Sequence, residues 1–304
     1  MAYPDYHTHT SRCGHAIGDA IEYVEAALAM GLPGIGIADH IPLLPEPDSE
    51  ISMGMCELVD YVAEVAALKA RFPGYVLLGV EADYRPGTLS EVKDLLASHP
   101  FDYAIGSVHH LGSWGIDDER QIEEYAGRDI DDVYLEYFEL VGDAAESGAF
   151  TIIGHLDLAK KFGFRPSRSL AVEMENLVGR IARSRVLVEI NTAGLRKPVA
   201  EAYPSIGLLG LLQEYRVPIT FGSDAHKPQD VGADFDHAAA LASAAGYAEY
   251  ATLEEAGGTG RAKVVLRPLD TATGLSGPAG LSSLGGRSGP DEVAGPSHPR
   301  ETGR

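Results

Sequence analysis

Histidine and acidic residues recur along this sequence in a pattern that could bind metal ions. Three histidines fall within the first 15 residues, in the stretch "YHTHTSRCGH", and more follow short apolar runs further along the chain. The residues with this placement are His7, His9, His15, His40, Glu81, His109, His155, Asp224 and His226. Imidazole nitrogens together with carboxylate oxygens are typical ligands of Zn, Mn or Fe. The sequence therefore predicts a metal centre.

The number of these residues favours more than one ion. A catalytic metal ion commonly takes about three or four protein ligands and keeps a position open for water. Nine ligands would suit two or three divalent ions, and a carboxylate such as Glu81 could bridge two of them. A single histidine at a strand end is more often structural, and residues i and i+2 share one face of any strand. The recurrence at the ends of several strands is what favours metal binding.

Neighbouring residues leave alternatives open. His109 and His110 point to opposite sides of a strand, and their spacing does not show which one faces inward. Asp39 either orients a neighbouring histidine or accepts hydrogen bonds from loop amides at the end of its strand. Cys13 is predicted to be a small buried residue rather than a ligand. Three other histidines lie outside the pattern and are predicted at the surface, namely His99, His237 and His298.

Seven apolar runs, bounded by Gly or Pro, are predicted to be the strands that position these residues. They lie within "YPDYHTH", "PGIGIADH", "YVLLGVEADY", "FDYAIGSVHH", "FTIIGHLDL", "VLVEINTAG" and "VPITFGSDAH". Segments with helical spacing lie between them at residues 60–71, 130–147, 170–184 and 206–215. This alternation predicts an α/β barrel or an open doubly wound sheet. Because all strands of a barrel end on one face, the pattern favours a closed barrel of seven strands.

Charge and composition restrict the classes of function. The chain has 304 residues and a formal net charge of −21, which argues against nucleic acid as a partner because phosphate backbones attract basic surfaces. An enzyme for an anionic substrate would need local positive charge, from metal ions or a few arginines. No apolar run approaches roughly 18 residues, no signal-peptide pattern is present, and two cysteines are too few for a disulfide framework. We expect a cytoplasmic protein without a membrane partner, and the sequence favours no particular oligomeric state.

The end of the chain differs in composition from the rest. Residues 271–304 are rich in Gly, Pro and Ser and contain no aromatic residue. Such a segment cannot bury enough apolar surface to offset its chain entropy. We therefore expect a disordered tail there and a single catalytic domain over residues 1–270.

The motifs taken in order resemble those of a known family. "HTH", "GIADH", "GVEADY", "GSVHH", "GHLDL" and "GSDAH" are similar to the successive motifs of the polymerase and histidinol phosphatase (PHP) superfamily, over residues 3–268. The stretch "VEINTAGLRKPVAEAYPS" resembles the histidinol-phosphatase branch. The resemblance implies a distorted seven-stranded, TIM-like (β/α) barrel with a trinuclear metal centre.

The resemblance also implies how the ligands are shared. Matched motif by motif, the three sets are His7, His9, Glu81 and Asp224; Glu81, His109 and His155; and His15, His40 and His226. His109 rather than His110 is the match, because it directly follows the "GSV" triplet. All nine positions hold the expected residue types, so the centre is predicted to be complete.

The predicted activity is hydrolysis of a phosphate monoester, L-histidinol phosphate, in histidine biosynthesis. A metal-bound water would lose its proton near neutral pH, and the hydroxide would attack phosphorus. His40 or another metal-bound water could protonate the leaving alkoxide. One alternative is a PHP-type phosphoesterase for a nucleotide or another small phosphate ester. An alternative of another class is a non-catalytic, metal-bound interaction protein.

Substrate contacts are predicted from charged residues that follow the strands. Arg196 and Arg165 could bind the phosphate through paired hydrogen bonds, and they would supply the positive charge that the chain lacks overall. The acidic run Asp117, Asp118 and Glu119 could meet the substrate's amine or imidazole.

Removing the residues after about position 271 should leave the fold and the turnover nearly intact. The reason is the Gly, Pro and Ser composition of this segment and its lack of a pattern that could form a core. Thermal unfolding and phosphate release, compared for the full chain and the truncated one, check this expectation. A truncated chain that unfolds or loses most of its turnover would show that the domain boundary is misplaced.

Overall fold

The computed structural model describes residues 2–45, 48–256 and 260–269. The predicted tail, residues 271–304, lies outside the described residues. Among those described, no helix combines the length and the apolar character that crossing a membrane requires.

Seven α-helices flank the strands within this part of the chain. They are α1 (Ala20–Ala29), α2 (Met55–Arg71), α3 (Leu89–Ser98), α4 (Ile130–Glu146), α5 (Ala171–Ser184), α6 (Ile206–Glu214) and α7 (Phe235–Ala244). The four predicted helices are confirmed as α2, α4, α5 and α6, whereas α1, α3 and α7 were not predicted. Helix α2 begins five residues earlier than expected, because the Glu57 side chain accepts a hydrogen bond from the Gly54 amide at 2.7 Å and caps the helix there.

The strands form one five-stranded parallel sheet and three smaller pairs. Their bounds are β1 (Ile35–Ile37), β2 (Val76–Leu78), β3 (Glu81–Asp83), β4 (Ile105–Ser107), β5 (His110–Leu111), β6 (Trp114–Gly115), β7 (Ile152–Ile153), β8 (Leu187–Asn191), β9 (Ile219–Gly222), β10 (Glu249–Glu254) and β11 (Lys263–Pro268). The large sheet has the order β3-β4-β7-β8-β9, and β1 pairs in parallel with β2. The pairs β5-β6 and β10-β11 are antiparallel. The protein therefore has an α/β fold built on parallel strands.

Two predicted strands are less regular than expected. The first predicted strand is extended but forms only isolated bridges, from Asp5 to Ile35 on one side and from Thr8 to Ala225 on the other. The third divides into β2 and β3, and His40 forms a further bridge to Glu81. These bridges place the first segment between β1 and the chain that follows β9.

An inner hydrophobic cluster lies among the strands and is separate from the layer under the helices. Its buried members are Tyr6, Ala38, Leu77, Tyr103, Ile105, Ile152, Leu187, Ala251 and Leu253. Tyr103 donates a hydrogen bond to the Tyr6 carbonyl at 2.6 Å. Its hydroxyl occupies the space beside Gly36, where an added Cβ would lie 1.9 Å away. The cluster and the residues of β10 fill one end of the strand assembly, so the site must lie at the other end.

Candidate metal centre

Glu81 is the central residue of a group of side chains at the carboxyl ends of the parallel strands. It is 1% exposed, and five histidines have a ring nitrogen within 3.0–3.5 Å of its carboxylate. Its Oε2 is contacted by His7, His9 and His40, and its Oε1 by His109 and His155. The structure thus brings histidines from four separate segments around one carboxylate.

The remaining predicted ligands continue this cluster. Asp224 Oδ1 lies 3.3 Å from His9 Nε2, and His226 Nε2 lies 2.8 Å from His15 Nε2. Three groups have ligand atoms within 4.8 Å of one another: His7, His9 and Asp224; Glu81, His109 and His155; and His15, His40 and His226. The last two match the predicted sets, and the first matches its predicted set except for Glu81. All nine predicted residues therefore meet in one place, although their role as ligands stays a prediction.

The hydrogen bonding of His9 indicates that the cluster suits a cation. Neither ring nitrogen of this fully buried histidine has a hydrogen-bond partner within the described residues. Its Nε2 lies 3.3 Å from oxygens of both Glu81 and Asp224, but neither contact has hydrogen-bond geometry. A buried polar group without a partner costs about 1–3 kcal/mol, and a divalent ion between these donors would remove that cost. The residues present fit a divalent transition metal, since imidazole and carboxylate are its usual ligands.

Neighbouring charges shift the pKa values of individual residues in the cluster. Burial raises the pKa of Glu81, but the nearby His40 and His7 outweigh burial and hold this pKa well below its ordinary value. Burial also raises the pKa of the Cys13 thiol, but the nearby imidazoles of His15 and His9 outweigh burial and lower that pKa to about 7. Cys13 is buried as predicted, yet its sulfur lies within 4.8 Å of nitrogens of His9 and His226.

Glu189 supports the cluster from beneath and was not predicted. This buried carboxylate lies 2.8 and 3.0 Å from His7 Nδ1, and it accepts hydrogen bonds from the His155 amide and the Asn191 side chain, each at 2.8 Å. It fits only because position 222 is glycine, where a Cβ would lie 2.4 Å from Glu189 Oε2. With Nδ1 facing Glu189, His7 directs Nε2 at Glu81. The sequence signal was an acidic residue inside the apolar run "VLVEIN".

Asp83 settles the choice between the two adjacent histidines. It accepts a hydrogen bond from the His109 amide at 2.9 Å and lies 2.8 Å from His110 Nδ1. His110 is thereby held away from Glu81, whereas His109 faces it. Asp39 has the second of its two predicted roles, because it accepts hydrogen bonds from the amide and hydroxyl of Thr10 rather than from a histidine ring.

An open cleft of about 710 Å³ lies over the cluster. Arg196 lines it, and so do all three residues of the predicted acidic run, Asp117, Asp118 and Glu119. Arg196 donates a hydrogen bond to the Ser223 carbonyl at 2.7 Å and pairs with Asp234 at 3.2 Å. Arg196 therefore lies at the cleft, and its contact with phosphate stays a prediction.

The prediction that Arg165 binds phosphate is not supported by its position. Arg165 pairs with Glu201 at 2.6 Å, is half exposed and does not line the cleft. The cation that this stretch contributes is Lys161, which lines the cleft and donates to the carbonyl and carboxylate of Asp117 at 2.6 and 3.1 Å. The sequence shows that "KKFGFRP" is basic, but not which of its side chains already has a partner.

Similarity to known proteins agrees with this geometry. Residues 5–193 match the PHP domain family. The chain is 44% identical to a "Probable histidinol-phosphatase" of Deinococcus radiodurans over 234 residues, which are 76% of this chain and 89% of that protein. It is 30% identical to the histidinol-phosphatase of Bacillus subtilis over 258 residues, 76% of this chain and 96% of the relative.

One solved structure with this fold contains ligands. It is the histidinol phosphate phosphatase of Lactococcus lactis, complexed with Zn, L-histidinol and phosphate. Its TM-score is 0.68 at 24% identity, and the match covers 86% of this chain and 98% of that one. At this identity the likeness is evidence for the fold alone.

Replacing Glu189 with Gln should lower the metal affinity of the purified protein by about 10–100-fold, the usual effect of losing a partner of a metal-binding histidine. The amide keeps the volume but loses the charge that holds His7 Nδ1. Competition with a chromophoric chelator measures the affinity, and circular dichroism checks the fold. Glu249→Gln, an equal charge change at an exposed position of β10, is the control. A wild-type metal affinity in Glu189→Gln would contradict the supporting role.

Proposed function

The chain belongs to the PHP domain family, and we infer that it is a metal-dependent phosphatase that hydrolyses L-histidinol phosphate to L-histidinol and phosphate. The inference follows from one observation above all: the complete Glu81 cluster lies beneath an open cleft in a chain that is 44% identical to a probable histidinol-phosphatase. This activity is a step of histidine biosynthesis.

We propose that the cluster holds two to three divalent transition-metal ions in the three ligand groups described above. Such ions, when bound, activate water as a nucleophile and neutralise the oxygens of a phosphoryl group. Glu81 has both oxygens engaged by imidazoles, which supports a bridging role between two of the groups. The ring of His40 is enclosed by those of His9, His15 and His109. We therefore assign it to metal binding and not to protonation of the leaving group.

Charged side chains around the cleft can bind the two ends of the substrate. Arg196 is fixed by the Ser223 carbonyl and Asp234 and still presents its guanidinium to the cleft, so we propose that it donates to a phosphoryl oxygen. Lys161 adds a second positive charge to the cleft. Of the acidic run, Asp118 already pairs with Arg120. Asp117 is half-buried and its Oδ2 pairs with Lys161 at 3.1 Å, and we propose that its Oδ1 faces the cationic part of the alcohol.

We also propose that the parallel strands close into a distorted barrel of seven segments, with residues 1–270 as the catalytic domain. Support comes from the bridges that link the first segment to β1 and to the chain after β9. The inner cluster gives further support, because it draws one residue from most of these segments. We place the enzyme in the cytoplasm, where the unpaired Cys13 and Cys56 would stay reduced.

A phosphate-release assay over a panel of monoesters tests the activity directly. The purified protein, assayed with its metal content measured in parallel, should release phosphate from L-histidinol phosphate with a higher kcat/KM than from nucleoside monophosphates or sugar phosphates. A strong chelator should abolish the release. Preference for a nucleotide would replace the proposed substrate, and active protein with less than one metal per chain would end the multinuclear assignment.

Glu81→Gln should damage the enzyme far more than Arg196→Ala, and in a different way. The first change removes the negative charge that five histidines share, so metal should be lost and kcat should fall by several orders of magnitude. The second removes a charge-assisted hydrogen bond to phosphate, worth about 1.5–3 kcal/mol or about ten- to a hundred-fold in kcat/KM, and should leave metal content unchanged. Steady-state kinetics and elemental analysis measure both effects.

The matched control for Arg196→Ala is Arg165→Ala, which removes the same group outside the cleft and should keep wild-type kinetics. Wild-type kinetics in Arg196→Ala would refute its contact with phosphate. Full metal content and activity in Glu81→Gln would refute the bridging carboxylate.

A further inference from the structure

The segment from β8 to α6 contributes several residues to the site, but one of its side chains has no assigned role. Tyr203 is 1% exposed, and its hydroxyl has no hydrogen-bond partner within the part of the chain that the structure describes. A buried hydroxyl without a partner lowers stability, and native proteins keep few such groups. The position therefore calls for a functional explanation.

The hydroxyl end of Tyr203 lies between the metal cluster and the turn that carries Arg196. The side chain lines the cleft, and its ring meets the His155 ring edge to face with 6.4 Å between the centroids. An added Cβ at Gly194 would lie 2.9 Å from Tyr203 Cζ and Cε2, so the phenol end packs directly on that turn. The ring therefore lies between His155 of the cluster and the turn that carries Arg196.

The backbone on both sides of Tyr203 is held in place by several contacts. Tyr203 and Asn191 exchange backbone hydrogen bonds of 2.7 and 2.9 Å across the end of β8. Lys160 Nζ lies 5.3 Å from the centre of the Tyr203 ring and donates to the Ala202 carbonyl at 2.7 Å. Asp157 accepts a hydrogen bond from the Ser205 amide at 2.9 Å and pairs with Lys160. Contacts before and after Tyr203 in the chain thus hold its backbone.

We propose that Tyr203 is a substrate-binding residue whose hydroxyl donates a hydrogen bond to a non-bridging phosphoryl oxygen. The proposal rests on the phosphatase function inferred above. Arg196 supplies charge to the phosphoryl group from the cleft side, and Tyr203 supplies a neutral, preorganised donor beside His155. The hydrogen bond that the free protein lacks is then made only when phosphate is bound.

Tyr203→Phe tests this role, because it removes the hydroxyl and keeps the ring. We expect kcat/KM for L-histidinol phosphate to fall by about ten- to a hundred-fold, the range for a hydrogen bond to a charged acceptor. The inhibition constant of inorganic phosphate should rise by a similar factor, and metal content should not change. The Tm should stay the same or rise, since the variant loses an unpaired buried hydroxyl. A purely structural tyrosine would show the opposite, a lower Tm with unchanged kinetics.

Two other tyrosines provide matched controls. The hydroxyl of Tyr247 donates to the Val217 carbonyl at 2.9 Å away from the cleft, so Tyr247→Phe should lower Tm and leave the kinetics unchanged. The hydroxyl of Tyr75 is also buried, has no hydrogen-bond partner among the described residues and lies outside the cleft. Tyr75→Phe should therefore change neither the kinetics nor the metal content.

Three outcomes are distinguishable. Wild-type kinetics and wild-type phosphate inhibition in Tyr203→Phe would overturn the proposal. Loss of turnover with unchanged phosphate inhibition would also overturn it, because the hydroxyl would then contact the alcohol part of the ester. A wild-type protein that releases no phosphate from L-histidinol phosphate would refute the proposed function instead. Calorimetric titration with inorganic phosphate would still compare phosphate binding in the wild type and the variant.

Discussion

The arrangement of the candidate metal centre depends on the charge of one buried carboxylate. Glu81 is 1% exposed and surrounded by five imidazoles, and a carboxylate in such a place is stable only if its charge is compensated. The compensating side chains lie far apart in sequence, on four segments of the chain. They can converge only because parallel strands end on the same face. The topology of the strands thus brings together the imidazoles that stabilise the charge of Glu81. The metal ions that we propose would add further positive charge beside this carboxylate.

A second buried carboxylate, that of Asp5, holds the backbone near the cluster. Asp5 accepts hydrogen bonds from the amides of His7, Ser223 and Gly232, at 3.3, 3.0 and 2.9 Å. It therefore fixes the first segment against the loop that carries Asp224. Burial raises the pKa of Asp5, and the hydrogen bonds from Ser223, Gly232 and His7 oppose that rise. The cluster is thus positioned by backbone amides as well as by its own side chains.

The sequence indicated which ligand-type residues meet, but not which side chains hold them in place. A residue at the end of a predicted strand has a defined location, so His7, His40 and Glu81 could be placed on one face before any coordinates were known. Glu189 lies inside an apolar strand, and its contact with His7 joins residues 182 positions apart. Nothing in local spacing indicates such a pair. The same holds for Arg165, whose ion pair with Glu201 depends on how two loops pack.

The inner hydrophobic cluster restricts the routes by which substrate and products can reach the metal ligands. Tyr103 and the inner cluster occupy the space beneath the metal ligands, and Tyr6 exchanges hydrogen bonds with Leu253 of β10 at that end. Substrate and products would therefore reach the cluster through the open cleft on its other side. A phosphate that binds at the cluster would leave by the route that the next substrate molecule enters, so we expect phosphate to compete with substrate.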